Sequence, residues 1–220
     1  MSDPLRIGVL VSGRGSNLQA VLDAIAAGSL NARVAVVISD TPAAPALDRA
    51  RAAGAPVHVL PTGKYRSRLT DAAEVECVEC LRDHDVQLVF LAGFMRILHE
   101  TLLDAFAGAI INIHPSLLPA FPGLDAQRQA LDYGVKLAGA TVHFVDAGID
   151  AGPIIAQRVV PVMPGDDRDS LADRILIQEH MLVVEALQLF AAGRVHLRGR
   201  QVVIEEDQST AATSGSRSTT

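Results

Sequence analysis

The stretch Ala109-Ile110-Ile111-Asn112-Ile113-His114-Pro115-Ser116-Leu117-Leu118-Pro119 decides how this chain folds. Its first six residues form an apolar run broken by one amide and one imidazole. In an extended strand, side chains two apart share a face. Asn112 and His114 therefore point together, while Ile111 and Ile113 point the other way into a core. Pro115 lacks an N–H and cannot extend a ladder, so the strand ends there. An amide donor and a group that titrates near neutrality thus meet at the carboxyl end of a strand. In open α/β sheets that edge is where ligands bind, and the pair suits acyl-type transfer.

Outward from this strand, the chain alternates strand-like and helix-like segments. Leu5 to Val11, Arg33 to Ser39, Pro56 to Leu60 and Val86 to Ala92 read as strands. Ser16 to Ala27, Pro45 to Ala53 and Leu69 to Asp83 read as helices; Gly28 and Gly54 stop the first two. Near-continuous apolar strands imply burial on both faces, hence a doubly wound, Rossmann-like α/β fold with a mostly parallel sheet. The second half changes character. Ala138 to Val145 and Ile154 to Val162 have no room for a helix between them, which predicts an antiparallel hairpin. A long helix follows from about Asp169 to Ala192, with a stripe of Leu171, Ile175, Gln178, Leu182, Ala186 and Leu189. A short terminal hairpin spans Val195–Leu197 and Val202–Ile204. Residues 1–207 read as a single catalytic domain, and 208–220 as a disordered Ser/Thr-rich tail.

With 220 residues, 49% hydrophobic and 20% charged, the chain has the balance of a globular domain. Its net charge is −6 with no basic run, which argues against nucleic acid as a partner. No apolar run is long enough to span a membrane, and Met1-Ser2-Asp3-Pro4 has no signal-peptide pattern, so a cytoplasmic location is expected. Cys77 and Cys80 form a C-x-x-C within a helical stretch, without further ligands at metal spacing, and read as reduced thiols. No metal is expected.

Three further segments carry candidate chemistry. The first strand runs into Ser12-Gly13-Arg14-Gly15-Ser16-Asn17 and then a helix. Leu18 replaces the small sixth residue of a dinucleotide fingerprint, and no P-loop lysine is present. A small phosphate monoester held by Gly15, Ser16 and Asn17 fits this pattern, as does a glycine turn with a Ser/Asn cap. Asp150, between Gly148 and Gly152, is either a partner for His114 or a turn residue capping its own loop. Met95, Arg96, Ile97 and Leu98 follow the fourth strand and either line a slot for a flat heterocycle or belong to the core. His143, within a strand, is read first as a packed structural residue, with support of the site as the second option.

Together these segments resemble the folate-dependent formyltransferases, and among them the phosphoribosylglycinamide formyltransferases of de novo purine synthesis. The resemblance rests on Ser12 to Leu18, Ala92 to Leu98, Ile111 to Pro119, Phe121-Pro122-Gly123, Val142 to Val145 and Asp150 to Pro153, in the family's order, and covers roughly Leu5 to Glu205. It implies a formyltransferase fold with Asn112, His114 and Asp150 catalytic. It also implies that Gly15, Ser16, Asn17 and Glu179 bind the phosphoribosyl substrate, Glu179 otherwise being a solvated helix residue. Arg68, Met95, Arg96, Ile97, Leu98 and Asn112 would bind 10-formyltetrahydrofolate, the formyl-donor cosubstrate, with Arg66 a rival to Arg68 for its glutamate tail. One departure stands out: some bacterial members have His where this chain has Asp125, and an extra carboxylate there would favour the protonated form of His114 or Asp150. The expected partners are small-molecule substrates, with the chain a monomer or weak homodimer. A methionyl-tRNA formyltransferase would need a basic extension, and a formyltetrahydrofolate hydrolase an N-terminal regulatory domain before the Leu5 strand. The alternatives are that hydrolase or a non-catalytic folate- or phosphoribosyl-binding module.

Overall fold

The computed structural model describes residues 3–61 and 67–206. The expected tail and Arg66 therefore lie outside the described residues. A seven-stranded sheet forms the centre, in the order β3-β2-β1-β4-β5-β6-β7. Its strands are β1 (Leu5–Val11), β2 (Ala32–Ser39), β3 (Val57–Val59), β4 (Leu88–Leu91), β5 (Ile110–His114), β6 (Leu137–Phe144) and β7 (Ile154–Pro161). The first five are parallel; β6 runs antiparallel to β5, and β7 to β6. The doubly wound sheet and its antiparallel end are as the sequence predicts.

Helices cover both faces because the strands are apolar on both sides. On one face α1 (Ser16–Ala26), α2 (Pro45–Ala52) and α6 (Arg168–Ala191) pack with Val9, Phe90, Ile111 and Ile113. On the other, α3 (Asp71–Asp83) and α4 (Glu100–Ala105) pack with Leu10, Ile38, Val89 and Ile110. The short helices α4 and α5 (Ala126–Tyr133) were not anticipated. Each covers fewer than three helical turns, too short for a clear apolar period.

Helix ends follow ordinary capping chemistry. The Thr70 hydroxyl accepts from Ala73 N at the start of α3, so that helix begins at Asp71 rather than Leu69. Asp167 and Ser170 form a reciprocal capping box on α6. The buried stripe of α6 runs through Leu171, Ile175, Glu179, Leu182, Val183, Ala186 and Leu187. Sequence periodicity placed Gln178 and Leu189 there instead, because a glutamate on a buried face is a poor guess without its partner. Cys77 and Cys80 are free thiols on α3. Burial, then the neighbouring Cys80 and carboxylates, push the Cys77 thiol up to about 12, so it stays protonated at neutral pH. The terminal hairpin, β8 (Val195–Arg198) and β9 (Gln201–Ile204), forms its own two-stranded sheet.

Candidate active site

Strand β5 ends at the carboxyl edge of the sheet, between β4 and β6. Alternation turns Ile111 and Ile113 into the core and leaves Asn112 and His114 on the opposite face, as expected. The loop after β6 brings Asp150 onto both. Its Oδ2 lies 3.2 Å from His114 Nδ1, and its Oδ1 accepts from Asn112 Nδ2 at 3.4 Å. Gly123 N donates to the same carboxylate at 2.7 Å. The three residues singled out for catalysis are therefore one cluster.

The remaining polar atoms of the cluster are also held. His114 Nε2 donates to the Phe121 carbonyl at 2.9 Å. His114 thus faces acceptors at both nitrogens, an arrangement that a ring carrying both protons satisfies. His143 lies directly across the ladder from Asn112. Its Nδ1 donates to Phe144 O at 2.8 Å, leaving Nε2 as acceptor for Asn112 Nδ2 at 3.2 Å. Burial pushes the His143 imidazole below its ordinary value, against the opposing pull of the Phe144 carbonyl and the Asp150 charge. A neutral His143 thereby orients the Asn112 amide. Sequence reading favoured a structural role for His143; the missing signal was the antiparallel register that sets it opposite Asn112.

The segment after His114 is tied down by buried hydroxyls. Thr141 Oγ1 donates to Ser116 O at 2.6 Å and accepts from Leu118 N at 3.1 Å. Ser116 Oγ is itself buried and donates to Ala120 O at 2.6 Å. Phe121 and Asp150 both adopt left-handed backbone, at φ 56 and φ 47. Non-glycine residues stay there only when their surroundings hold them.

The Gly-rich loop lies on α2. Gly13 O accepts from Ala46 N, and Arg14 O accepts from Arg49 Nε. Gly15 is the N-cap of α1 at φ 73, with no side chain closing the helix start. The Ser/Asn cap reading is thus not realised, and the first N–H groups of α1 remain available to an anion. Asn17 is buried; its Nδ2 donates to Glu179 Oε2 at 2.8 Å, while its Oδ1 has no hydrogen-bond partner. Burial raises the Glu179 carboxyl above its ordinary range, partly offset by the Asn17 bond.

The segment after β4 divides. Met95 and Ile97 are exposed, whereas Leu98 is buried in the core. The Arg96 guanidinium pairs with buried Asp40 at 2.5 Å. Met95 N donates to Ser12 Oγ at 2.9 Å, tying this segment to the Gly-rich loop. Arg68 forms an isolated parallel bridge with Ile97, which brings it to the same edge. Asp125 is not an unbalanced carboxylate: Arg168 Nε pairs with it at 2.7 Å, so its negative charge is offset. The sequence could not reveal a partner on α6. Among the described residues, no group of three or more His, Cys, Asp or Glu is arranged to hold a metal ion. No described helix is long and apolar enough to cross a membrane.

An amide, an imidazole and a carboxylate meet at a sheet edge, close in the fold to an uncapped helix start, and residues 5–187 match the formyl transferase family model. The chain belongs to the formyl transferase family. It is 45% identical to a phosphoribosylglycinamide formyltransferase of Mycobacterium tuberculosis, covering 92% of this chain and 95% of that one. A glycinamide ribonucleotide transformylase structure from Symbiobacterium toebii is 52% identical with a TM-score of 0.89, covering 94% of this chain and 96% of that one. The trifunctional purine biosynthetic protein adenosine-3 of Drosophila pseudoobscura is 46% identical over 86% of this chain, which spans only 14% of that protein.

Proposed function

We propose that this formyltransferase moves the formyl group of 10-formyltetrahydrofolate onto the amine of glycinamide ribonucleotide, a step of de novo purine synthesis. The carrying observation is the Asp150 carboxylate, which contacts both Asn112 and His114. The named relatives that match this chain along nearly their whole length support the choice of substrate.

In this reading Gly15, Ser16 and Asn17 take the phosphate at the open start of α1, and Glu179 contacts the same substrate. Met95, Arg96, Ile97 and Leu98 border the folate, the first and third through side chains. Arg68 meets its glutamate tail. The amine nitrogen attacks the formyl carbon, forming a C–N bond and an oxyanion. Asn112 donates to that oxygen through the N–H now directed at Asp150, whose 3.4 Å bond is at the long limit and readily exchanged. His114, as imidazolium beside Asp150, stabilises the same charge. Collapse breaks the bond between the formyl carbon and the folate nitrogen. The amine releases a proton and the folate nitrogen takes one up, with His114 and Asp150 relaying it through water. No acyl-enzyme is expected, because the Ser116 hydroxyl is buried and donates to a carbonyl.

The test is an assay of tetrahydrofolate release with both substrates and with the amine omitted. Turnover that needs both supports the transferase. Folate release without the amine would mean a hydrolase, and silence in both would mean a binding module.

A further inference from the structure

The loop carrying Asp150 packs closely against the end of β6. Gly148 and Gly152 flank it, and a Cβ on Gly152 would run into the Phe144 carbonyl. Asp150 itself is left-handed at φ 47. Its carboxylate is anchored on the inner side by Gly123 N and His114. On the outer side, the carbonyl of the next residue, Ala151, accepts from Arg200 Nη2 at 2.7 Å. Arg200 stands on the exposed turn between β8 and β9, where Gly199 supplies a positive φ of 61. This hairpin begins after residue 187, where the family match ends, and the reaction above does not use it. Its second strand, with Arg200, Pro153 and Ile154, lines a cavity of about 320 Å³. The hairpin therefore lies against the segment leading from Asp150 into β7.

We propose that the β8–β9 hairpin straps the Asp150 loop and that Arg200 is a positioning residue for formyl transfer. By holding the Ala151 carbonyl, Arg200 keeps the preceding residue left-handed and its carboxylate on His114. The inference rests on the formyl-transfer reading for its kinetic consequence, but not for its structural one. A hydrogen bond from a charged donor shifts a local equilibrium by about tenfold. Arg200 acts through Asp150, so its loss lowers kcat and leaves the KM of the amine substrate within about twofold.

Two measurements on the full chain test this. In Arg200→Met, exchange of the two hydrogen-bonded amides that report on this loop, Gly123 N on the Asp150 carboxylate and Gly148 N on Asp146, should quicken by about tenfold, with Arg200→Lys restoring much of the protection. Unchanged exchange overturns the strap, whether or not the chain turns over. In the transfer assay, kcat of Arg200→Met should fall by about tenfold, with recovery in Arg200→Lys. The same change made in an Asp150→Asn background should have almost no further effect on kcat, since the residue it acts through is already altered. An equal loss in both backgrounds would mean a general structural role and overturn the positioning role. Absence of turnover in the parent chain would reject the formyl-transfer reading, and the exchange result would still decide the strap.

Discussion

Nδ1 of His114 lies 3.2 Å from Oδ2 of Asp150, although the two come from opposite flanks of the site, one from β5 and the other from the loop after β6. This contact joins a strand-end imidazole to a residue held in left-handed backbone. It keeps the ring in one orientation and sets a negative charge beside it. The opposite nitrogen is fixed by Phe121 O, so the ring has little freedom to turn. A preorganised donor of this kind stabilises charge that develops during reaction without reorganising first.

Loss of either donor should be costly. Asn112→Ala and His114→Ala are each expected to lower turnover by on the order of 10²–10³, the usual effect of deleting one oxyanion donor. Both variants should still unfold cooperatively, because the surrounding sheet is apolar and continuous. Steady-state kinetics beside a thermal melt checks this; near-normal turnover in either variant would remove that residue from the mechanism.

Asp150→Asn keeps the shape and removes the charge. Its amide nitrogen would be turned toward His114, Asn112 or Gly123 N, all of which now supply donors to the carboxylate. At least one donor–donor clash follows. Turnover should drop by about a hundredfold or more, within the range for loss of an acid–base partner. A variant with parental kcat would show that the carboxylate does not support His114.

Gly15→Ala should separate the two substrates. The residue has φ 73, and a Cβ there would lie 2.6 Å from the Ala46 Cβ. The backbone conformation alone costs about 1–2 kcal/mol for an alanine, and the contact displaces the start of α1 from α2. The KM of the amine substrate should rise by about tenfold or more, since 1.4 kcal/mol is one decade, while the KM of the folate stays close to parental. Equal effects on both would argue against an anion site at this helix start.

What the sequence disclosed was local. Asn112 and His114 could be put on one face because strand alternation and Pro115 act over a few residues. Gly15 could be read as a turn for the same reason. What stayed hidden was pairing between distant segments: His143 against Asn112, Asp125 against Arg168, and Glu179 against Asn17, 162 residues apart. No periodicity encodes those partners, because each depends on how β5 meets β6, how α5 meets α6 or how α6 crosses α1. The helices α4 and α5 escaped for a different reason, being too short for a period to emerge.

Glu179 offers a test of one such hidden pairing through pH. Burial raises its carboxyl above the ordinary 4.5, and the bond from Asn17 only partly restores it. A carboxyl whose value is higher in the folded than in the unfolded state takes up protons on folding. Its effect on stability is therefore most favourable below the ordinary value and is lost as pH rises through the raised one. At neutral pH the folded chain carries the cost of a buried charge. Glu179→Gln removes that cost while its carbonyl still accepts from Asn17. The variant should melt higher than the parent at pH 7.5, by roughly 2–4 °C for each kcal/mol recovered. The gain should shrink toward zero as pH falls well below the ordinary 4.5, where the parent carboxyl is protonated in both states. Melts of the two proteins across this range decide it: a difference that stays constant with pH would mean that Glu179 does not titrate on folding.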